Sequence, residues 1–550
     1  MDEKVVLKDL GAYAEAVEQA LRSLQADRIL ERVWQHDHTV WKPEPTEIAN
    51  RLGWLEIVEE MWPKLGELRA FVDEVRAAGY THVLLLGMGG SSLAPEVFRK
   101  VFGVAPDHLD LAVLDSTDPG AVRAQAEKHD PRRTLFLVST KSGSTVETLS
   151  FFKFFYTWVT EALGRDQAGA HFVAITDPGS PLGATAAEYG FRRVFLNNPD
   201  IGGRYSALSY FGLVPAALVG VDLEGLLNRA RQAMTDCGPS VAAAQNPAAQ
   251  LGVAMGQLAL LGRDKLTVVL PPEIASFGDW LEQLIAESTG KEGKGILPVV
   301  GEPLGEPSVY GDDRLFVVVG ASTNPEERGA LESLRAAGHP VVQLAFEDKL
   351  DLGYQMFLWE LATAIAGQQL RINPFDQPNV EAAKAMARKT LEERCGAKPL
   401  GVADFPEPDA SILAEFLSDA REGAYVALQA YVAPTPRADE GLRLLRLALR
   451  ERTRLACTAG YGPRYLHSTG QLHKGDAGKG LFVQFVSEAD EDVVIPDEPG
   501  RPEGTLTFGQ LKIAQAIGDQ QALRTNGRNV LVFRAPANAG PLFAALAESL

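Results

Sequence analysis

The sequence predicts an α/β fold with two doubly wound parallel sheets, and two patterns support this prediction. The first is a series of short, continuous runs rich in Val, Ile and Leu, which alternate with longer stretches of helical periodicity. Continuous β-branched runs are typical of parallel strands that helices cover on both faces. The second is that this rhythm occurs twice, on either side of a helical stretch at 223–261. We expect a ligand cleft at the carboxyl ends of the strands.

Residues 1–75 are expected to form a helical N-terminal extension, because Leu, Ala and Glu recur at helical spacing over 10–33 and 46–75. The first α/β domain is expected at 76–222 and the second at 223–395. The expected strands of the first domain are 83–86, 111–114, 135–138, 172–175 and 194–196. Those of the second are 266–270, 315–319 and 341–344.

Residues 396–550 are a third region, and 400–408 at its start is acidic and rich in proline, as in a linker or surface loop. Strands are expected at 425–431, 481–486 and 530–533, and a basic amphipathic helix at 441–450. Periodicity leaves open whether this region completes the second sheet or forms a small domain of its own. We expect it to complete the second domain.

The composition limits the classes of partner. The chain of 550 residues is 46% hydrophobic and carries a net charge of −19, which argues against nucleic acid or an anionic membrane. A site for an anionic ligand must then be locally positive or built from backbone amides. The three cysteines are far apart and lack metal-ligand spacing, the first residues are acidic, and no apolar run is long enough to span a bilayer. We expect a soluble, cytoplasmic protein without a metal.

A glycine-rich turn, GMGGSS at 87–92, follows the first strand of the first domain. Such a turn exposes backbone amides at the start of a helix and is suited to binding an anion. Asp115 ends the next strand, where an acidic residue that binds a ribose is found in dinucleotide-binding proteins. However, Ser92 stands where that fingerprint has Gly or Ala. This turn alone leaves nucleotide binding and phosphate binding equally open.

The segment TKSGST at 140–145 follows the third strand and contains four hydroxyl groups, a lysine and a glycine. One or two hydroxyls would be explained by an ordinary helix cap. Four of them indicate a site for a phosphomonoester, which needs several donors around one dianion. Such a loop binds an anion without a large net charge and so meets the constraint that the acidic composition sets.

The segment SFGDWLEQLIAESTGKEGKGILP at 276–298 begins as an amphipathic helix and ends in a polar turn after Glu287. A carboxylate at this position is suited to proton transfer. The ordinary alternative is a solvated pair between Glu287 and Lys291, four residues apart. Gln283 lies one helical turn before Glu287 and so shares its face.

These segments together resemble the motifs of phosphoglucose isomerases, in that family's order. The matching strings are GMGGSSLAP at 87–95, STKSGSTVET at 139–148, GGRYS at 202–206, ESTGK at 287–291 and FDQPNVEAAK at 375–384. Sugar-isomerase domains in general share only the first two. The ESTGK and FDQPNVEAAK strings narrow the resemblance to the isomerases themselves, and it covers roughly residues 80–390.

The resemblance implies the isomerisation of glucose 6-phosphate and fructose 6-phosphate without a metal or cofactor. Glu287 would be the catalytic base, Arg204 would stabilise an enediolate oxygen, and Lys384 would lie in the active site. Gln283 would meet the phosphate. The residues expected to bind the substrate are Gly90, Ser91, Thr140, Lys141, Ser142, Thr145, Glu147 and Gln283.

Two other functions compete with this one. Sugar-isomerase domains also serve as non-catalytic regulators that bind sugar phosphates, but a regulator would not need Glu287, Arg204 and Lys384 together. A nicotinamide-dependent oxidoreductase is the third possibility, and a cofactor titration would separate it. The chain also resembles the isomerase half of transaldolase fusions, although only 82 residues precede its first predicted strand, too few for a barrel of ~250 residues.

The motif with the histidine that opens the sugar ring in this family stands at a different place in the order of motifs along this chain. It is expected between the Glu and Lys motifs, where only His339 occurs, in a turn-like GHP string. The string LHSTGQ at 466–471, which resembles the family's histidine motif, lies after them. We expect a permuted segment that brings His467 back to the site. Alternatively, residues 400–550 are an unrelated appendage, and His473 is a weaker candidate.

The resemblance further implies that Glu147 orients this histidine. In the family the histidine reaches the site of a neighbouring subunit, which implies a homodimer.

Overall fold

A computed structural model describes residues 4–322, 324–380, 386, 402–403 and 405–550. Among these residues, none of the helices is both long and apolar enough to cross a membrane. In chain order the strands are β1 (Val5–Asp9), β2 (His82–Gly87), β3 (Asp110–Leu114), β4 (Thr134–Ser139), β5 (Phe172–Thr176), β6 (Arg193–Leu196), β7 (Lys265–Val269), β8 (Leu297–Val299), β9 (Arg314–Val319), β10 (Val341–Leu344), β11 (Tyr425–Tyr431), β12 (Ala456–Tyr461), β13 (Gly480–Ser487), β14 (Val494–Ile495), β15 (Leu506–Thr507) and β16 (Asn529–Ala535).

The α-helices of the described residues surround these strands. They are α1 (Ala14–Ala26), α2 (Ile29–Trp34), α3 (Ile57–Met61), α4 (Leu65–Ala77), α5 (Leu93–Phe102), α6 (Pro119–Lys128), α7 (Val146–Leu163), α8 (Arg165–Ala168), α9 (Pro181–Glu188), α10 (Tyr210–Val219), α11 (Leu223–Asp236), α12 (Pro247–Leu260), α13 (Phe277–Thr289), α14 (Pro325–Ala336), α15 (Leu352–Gln369), α16 (Ala410–Leu417), α17 (Pro436–Thr453), α18 (Gly470–Gly475), α19 (Phe508–Thr525) and α20 (Gly540–Ser549).

The first sheet has five parallel strands in the order β3-β2-β4-β5-β6. Each predicted strand of this sheet is present, with bounds that differ by one residue at most. The central strands β2, β4 and β5 are buried almost throughout, because helices cover both faces of the sheet. The prediction of a doubly wound parallel sheet is therefore confirmed.

The second sheet has the order β1-β10-β9-β7-β8, and its strands are parallel except for β1 at one edge. The sequence pattern predicted only helices in residues 1–75 and therefore missed β1, which pairs with β10 more than 300 residues away. It also missed β8, which has only three residues. The helical stretch at 223–261 is two helices, α11 and α12, and the second begins after the cap Asn246.

The C-terminal strands form a third sheet of their own, in the parallel order β12-β11-β13-β16. Of the two possibilities that the sequence left open, they do not extend the second sheet. They pack on it instead, because Leu297 and Val299 of β8 share an apolar cluster with Tyr425, Leu472 and Phe482. The strands β12, β14 and β15 were not predicted.

The same region also packs against the first sheet. Phe508, at the start of α19, stacks on Phe151 of α7 with the ring centroids 5.8 Å apart. Leu511 and Ile495 belong to the apolar cluster on this face of the first sheet. The C-terminal region therefore contacts both of the other sheets, and the segment between its strands can reach the space between them.

A buried ion cluster joins the second and third sheets. Glu302 precedes β9, and its carboxylate is 1% exposed. Its Oε1 atom lies 3.4 Å from Nη1 of Arg314 and 3.6 Å from Nη1 of Arg450, and its Oε2 atom lies 4.0 Å from Nη2 of Arg446. Arg446 and Arg450 belong to α17, so that one carboxylate balances arginines from both sides of this interface.

We predict that Glu302→Gln lowers the free energy of unfolding by about 3–5 kcal/mol, because it leaves buried arginines without their counter-charge. The shift of the urea midpoint measures this loss. Glu306→Gln is the matched control, since Glu306 is exposed on the same loop. Equal urea midpoints for Glu302→Gln and Glu306→Gln would contradict the predicted contribution of this cluster to stability.

Candidate active site

A cleft of about 930 Å³ lies at the carboxyl ends of the first sheet's strands. Its walls come from the turn after β2, the loop after β4, the turn that carries Arg204, the end of α13 and the segment before α18. Within the described residues, no group of three or more His, Cys, Asp or Glu side chains is arranged to hold a metal ion.

Gly89 and Gly90 of the glycine-rich turn are packed too closely against neighbouring segments to carry a β-carbon. A β-carbon added at Gly90 would lie 2.0 Å from the carbonyl oxygen of Gly203. Gly89 has a φ of +54°, and a β-carbon there would lie 2.9 Å from Nε2 of Gln283 and 3.0 Å from the carbonyl oxygen of His467. These glycines thus allow three segments of the site to meet, and Gly90 and Ser91 line the cleft.

Asp115 does not face the cleft, which bears on the nucleotide alternative. Its carboxylate lies 3.3 Å from the guanidinium of Arg464, which also lies 3.3 Å from Asp279. Burial raises the pKa of Asp115 in spite of this arginine. The residue that would bind a ribose in a dinucleotide site is therefore engaged within the protein.

The Ser/Thr loop connects β4 to α7 and brings its hydroxyls into the cleft. Oγ1 of Thr140 lies 2.9 Å from Oγ1 of Thr145, and Ser144 donates to Oγ of Ser142 at 3.1 Å. All four residues line the cleft. The loop therefore presents a group of neutral donors in front of the N-terminus of α7, where the helix dipole favours an anion.

Lys141 of the same loop lines the cleft, but its ammonium is already engaged. It forms an ion pair with Asp177, which follows β5, and donates to the carbonyl oxygen of Pro199 at 3.0 Å. Burial raises the pKa of Asp177, while the hydrogen bond from Lys141 lowers it. The lysine thus fastens the loop to the neighbouring strand.

Glu287 faces Arg204 across the cleft. Its Oε1 atom lies 3.6 Å from Nη1 of Arg204, and its Oε2 atom accepts a hydrogen bond from Nε2 of Gln283 at 3.1 Å. Arg204 is fixed because its Nε donates to Ser288 at 2.7 Å and its Nη2 donates to the carbonyl oxygen of Pro374 at 2.7 Å. Both side chains are buried in protein, at 8% and 3% exposure.

The alternative pair between Glu287 and Lys291 is absent. Lys291 is buried, and its Nζ donates to Oδ1 of Asp376 at 2.7 Å and to that residue's carbonyl oxygen at 2.6 Å. Burial lowers the pKa of Lys291 to about 8. The carboxylate of Glu287 is thus not neutralised by the lysine four residues later.

His467 enters the cleft from the C-terminal region of the same chain. It ends a short 3₁₀ helix, Arg464–His467, and its Nε2 lies 2.9 Å from Oε1 of Glu147. Nε2 of Gln283 donates to the carbonyl oxygen of His467 at 2.7 Å. The predicted contact with Glu147 is therefore present, and a residue of α13 holds the histidine's backbone.

The segment that carries His467 also forms hydrogen bonds with the ESTGK and FDQPN strings. Nε2 of Gln471 donates to the carbonyl oxygen of Gly290 at 2.9 Å and to Oδ1 of Asn379 at 2.7 Å. The amide of Asn379 donates back to Oε1 of Gln471 at 2.9 Å. The LHSTGQ, ESTGK and FDQPN strings thus form one connected unit, although LHSTGQ comes last in the chain.

The other two candidate histidines, His339 and His473, do not line the cleft. His473 is buried and contacts Nε2 of Gln429 at 3.2 Å, and burial lowers its pKa. His339 is buried beside Arg263 and the rings of Tyr310 and Phe316. Both are packing residues.

Lys384 lies outside the described residues, although Phe375, Gln377 and Val380 of the same motif line the cleft. Further residues of the cleft wall were missed from the sequence. Among them are Arg51, Lys153, Asp177, Lys474 and Gln515.

Of these, Asp177 could have been found from a local signal, because it follows a predicted strand. No local signal in the sequence indicated Gln515, because it reaches the cleft only through the packing of α19.

Comparisons with known proteins identify chains of similar sequence. The family model described as "Phosphoglucose isomerase" matches residues 52–296. A glucose-6-phosphate isomerase from Rubrobacter xylanophilus is 31% identical over 360 residues, which cover 57% of this chain and 83% of that protein. One from Thermus thermophilus is 30% identical over 391 residues, or 63% of this chain and 91% of that protein.

Solved structures are similar as well. A hypothetical protein from Thermus thermophilus superposes with a TM-score of 0.61 at 26% identity, over 70% of this chain and 99% of that one. A glucose-6-phosphate isomerase from Chlamydia trachomatis has a TM-score of 0.57 at 20% identity, over 73% of this chain and 89% of that one. The second likeness concerns the fold alone.

We predict that Gly90→Ala lowers the free energy of unfolding by about 1–3 kcal/mol, because the new methyl group forces the carbonyl of Gly203 to move. Gly203→Ala is the matched control, since a β-carbon there meets no atom within 4 Å. Thermal unfolding of both variants is the measurement. A Gly90→Ala protein as stable as the control would contradict the close contact.

Proposed function

The chain belongs to the phosphoglucose isomerase family and acts as a glucose-6-phosphate isomerase, and we propose that the cleft described above is where it interconverts glucose 6-phosphate and fructose 6-phosphate. One observation carries this proposal. The carboxylate of Glu287, oriented by Gln283 and facing Arg204, shares one cleft with the Ser/Thr loop and with His467. A base, a fixed cation, an anion site and an acid–base imidazole are the groups that an aldose–ketose isomerisation needs.

The phosphate is proposed to bind at the Ser/Thr loop. The hydroxyls of Ser91, Thr140, Ser142 and Thr145 line one side of the cleft, in front of the first turn of α7. Backbone amides of the turn at Gly90 add further donors. Directed neutral donors hold a dianion without excess positive charge, as the acidic chain requires. Lys141 is proposed to act by fixing this loop through its ion pair.

Glu287 is proposed to move the proton between C2 and C1. The carboxylate takes the proton from C2 of the open-chain aldose, and the C–H electron pair forms the C1–C2 double bond of an enediolate. The negative charge then rests on the oxygen at C1, where the guanidinium of Arg204 stabilises it. A proton then passes from the hydroxyl oxygen at C2 to the oxygen at C1, and return of the carboxylate's proton to C1 leaves the C2 ketone of the ketose and regenerates the base.

His467 is proposed to open the sugar ring. A carboxylate only accepts hydrogen bonds, so Nε2 of His467 carries the proton directed at Glu147, 2.9 Å away. Nδ1 is then the nitrogen left to exchange a proton with the ring oxygen. Imidazole suits this step because it both gives and takes a proton near neutral pH. Lys384 is proposed to assist in the site, as the family motif implies.

A cytoplasmic location and a homodimer are also proposals. Cys237 and Cys457 are free thiols buried in the fold, and unpaired thiols support a reducing compartment. The dimer rests on family resemblance alone. His467 contacts Glu147 of its own chain, so a second copy is not needed to bring this histidine to the cleft.

The base is tested by Glu287→Gln, which keeps the shape of the side chain but cannot accept the proton. We predict that kcat falls by about 10²–10⁴-fold, while sugar phosphate still binds. A coupled assay with fructose 6-phosphate and no added metal gives the rate, and calorimetry gives the binding. Glu292→Gln, at an exposed residue of the same turn, is the control. Near-normal turnover of Glu287→Gln would remove the residue from this role.

The ring-opening role is tested by His467→Ala with two substrates. One is ordinary cyclic fructose 6-phosphate, and the other is its analogue without the C5 hydroxyl, which cannot close the furanose ring. We predict a loss of about 10²-fold or more on the cyclic substrate and retained turnover of the open one. His473→Gln should keep both activities. Full activity of His467→Ala on the cyclic substrate would overturn the assignment.

A further inference from the structure

We infer that Gln515 is a positioning residue for ring opening, which holds Glu147 where His467 needs it. This inference rests on the proposed role of His467. Gln515 lies on α19 in the C-terminal region and is 5% exposed. Its Nε2 donates to Oε1 of Glu147 at 2.8 Å, the same oxygen that lies 2.9 Å from Nε2 of His467. One carboxylate oxygen is thus shared by an amide and the imidazole.

A hydrogen bond to the carbonyl oxygen of the side-chain amide fixes the orientation of Gln515. Oε1 of Gln515 accepts a hydrogen bond from Oγ1 of Thr117 at 2.8 Å, and Thr117 is fully buried. Because the carboxylate of Glu147 only accepts, the NH₂ group must face it. The hydroxyl of Thr117 then donates to the remaining oxygen. The result is a chain of three hydrogen bonds from Thr117 through Gln515 and Glu147 to His467.

The helix that carries Gln515 is itself anchored beside Thr117. Lys512, one turn earlier on α19, is fully buried, and its Nζ lies 2.8 Å from Oδ2 of Asp118. Phe508 stacks on Phe151 at the start of the same helix. The position of the amide of Gln515 is therefore determined by other contacts of α19 with the first domain and not by the amide alone.

The amide has a chemical consequence for the imidazole. A donor at Oε1 favours the ionised form of the carboxylate and restricts its rotation. An ionised Glu147 requires a proton on Nε2 of His467, which leaves Nδ1 toward the substrate. Without the amide, the carboxylate turns more easily. His467 then spends less time in the tautomer and orientation that ring opening requires.

The test is Gln515→Met, which keeps the length of the side chain and removes the amide. We expect kcat on the cyclic substrate to fall by about 10–100-fold, the effect of one hydrogen bond to a charged group, with the open-chain substrate unaffected. Thr117→Val, which removes only the anchor of the amide, should give a smaller loss in the same direction. A purely structural role would slow both substrates equally.

The matched control is Gln520→Met, because Gln520 is a buried glutamine of the same helix and no side-chain hydrogen bond is seen for it among the described residues. It should leave both rates unchanged. In a Glu147→Gln background, Gln515→Met should cause no further loss on the cyclic substrate, because the two residues act through one contact.

His467→Ala is measured beside these variants. If His467→Ala slows the cyclic substrate selectively and Gln515→Met does not, the inference about Gln515 is wrong while the role of the histidine stands. If His467→Ala shows no selective loss, the proposed ring-opening role fails first. Equal losses of Gln515→Met on both substrates would also overturn the inference.

Discussion

The active site depends on one amide that bridges parts of the chain nearly 200 residues apart. Nε2 of Gln283 donates to the carboxylate of Glu287 and to the carbonyl oxygen of His467. The amide therefore sets the distance between the base and the histidine segment. No side chain at Gly89 would fit beside it, which explains why the glycine-rich turn meets α13 so closely. Glu287, His467 and the glycine-rich turn are fixed relative to one another by this contact.

The charges of the site are balanced within the protein before any substrate binds. Arg204 lies near Glu287, Lys141 is paired with Asp177, and Lys291 with Asp376. A chain with a net charge of −19 can thus attract a phosphate without a large positive patch. Hydroxyls and backbone amides supply the donors, and the fixed guanidinium of Arg204 faces the carboxylate of Glu287.

The C-terminal region acts as a bridge between the other two sheets. Lys512 pairs with Asp118 on one side, and Arg446 and Arg450 surround Glu302 on the other. Buried ion pairs contribute little net stability compared with apolar packing, but a displaced partner is costly. Such contacts therefore fix the register in which the region packs. That register is what carries His467 into the cleft of its own chain.

Local sequence specifies the strands of the two main sheets and most of the chemistry of the cleft. Short apolar runs encode local structure, and strings such as TKSGST and ESTGK carry their donors and their base within a few residues. The rest arises from tertiary packing, because it depends on pairs far apart in the chain. The edge strand β1 needs β10 to form, and Lys291 pairs with Asp376 instead of Glu287 because the fold buries the two together. The separate third sheet and the contact of Gln515 with Glu147 follow from the packing of α19, which no local pattern specifies.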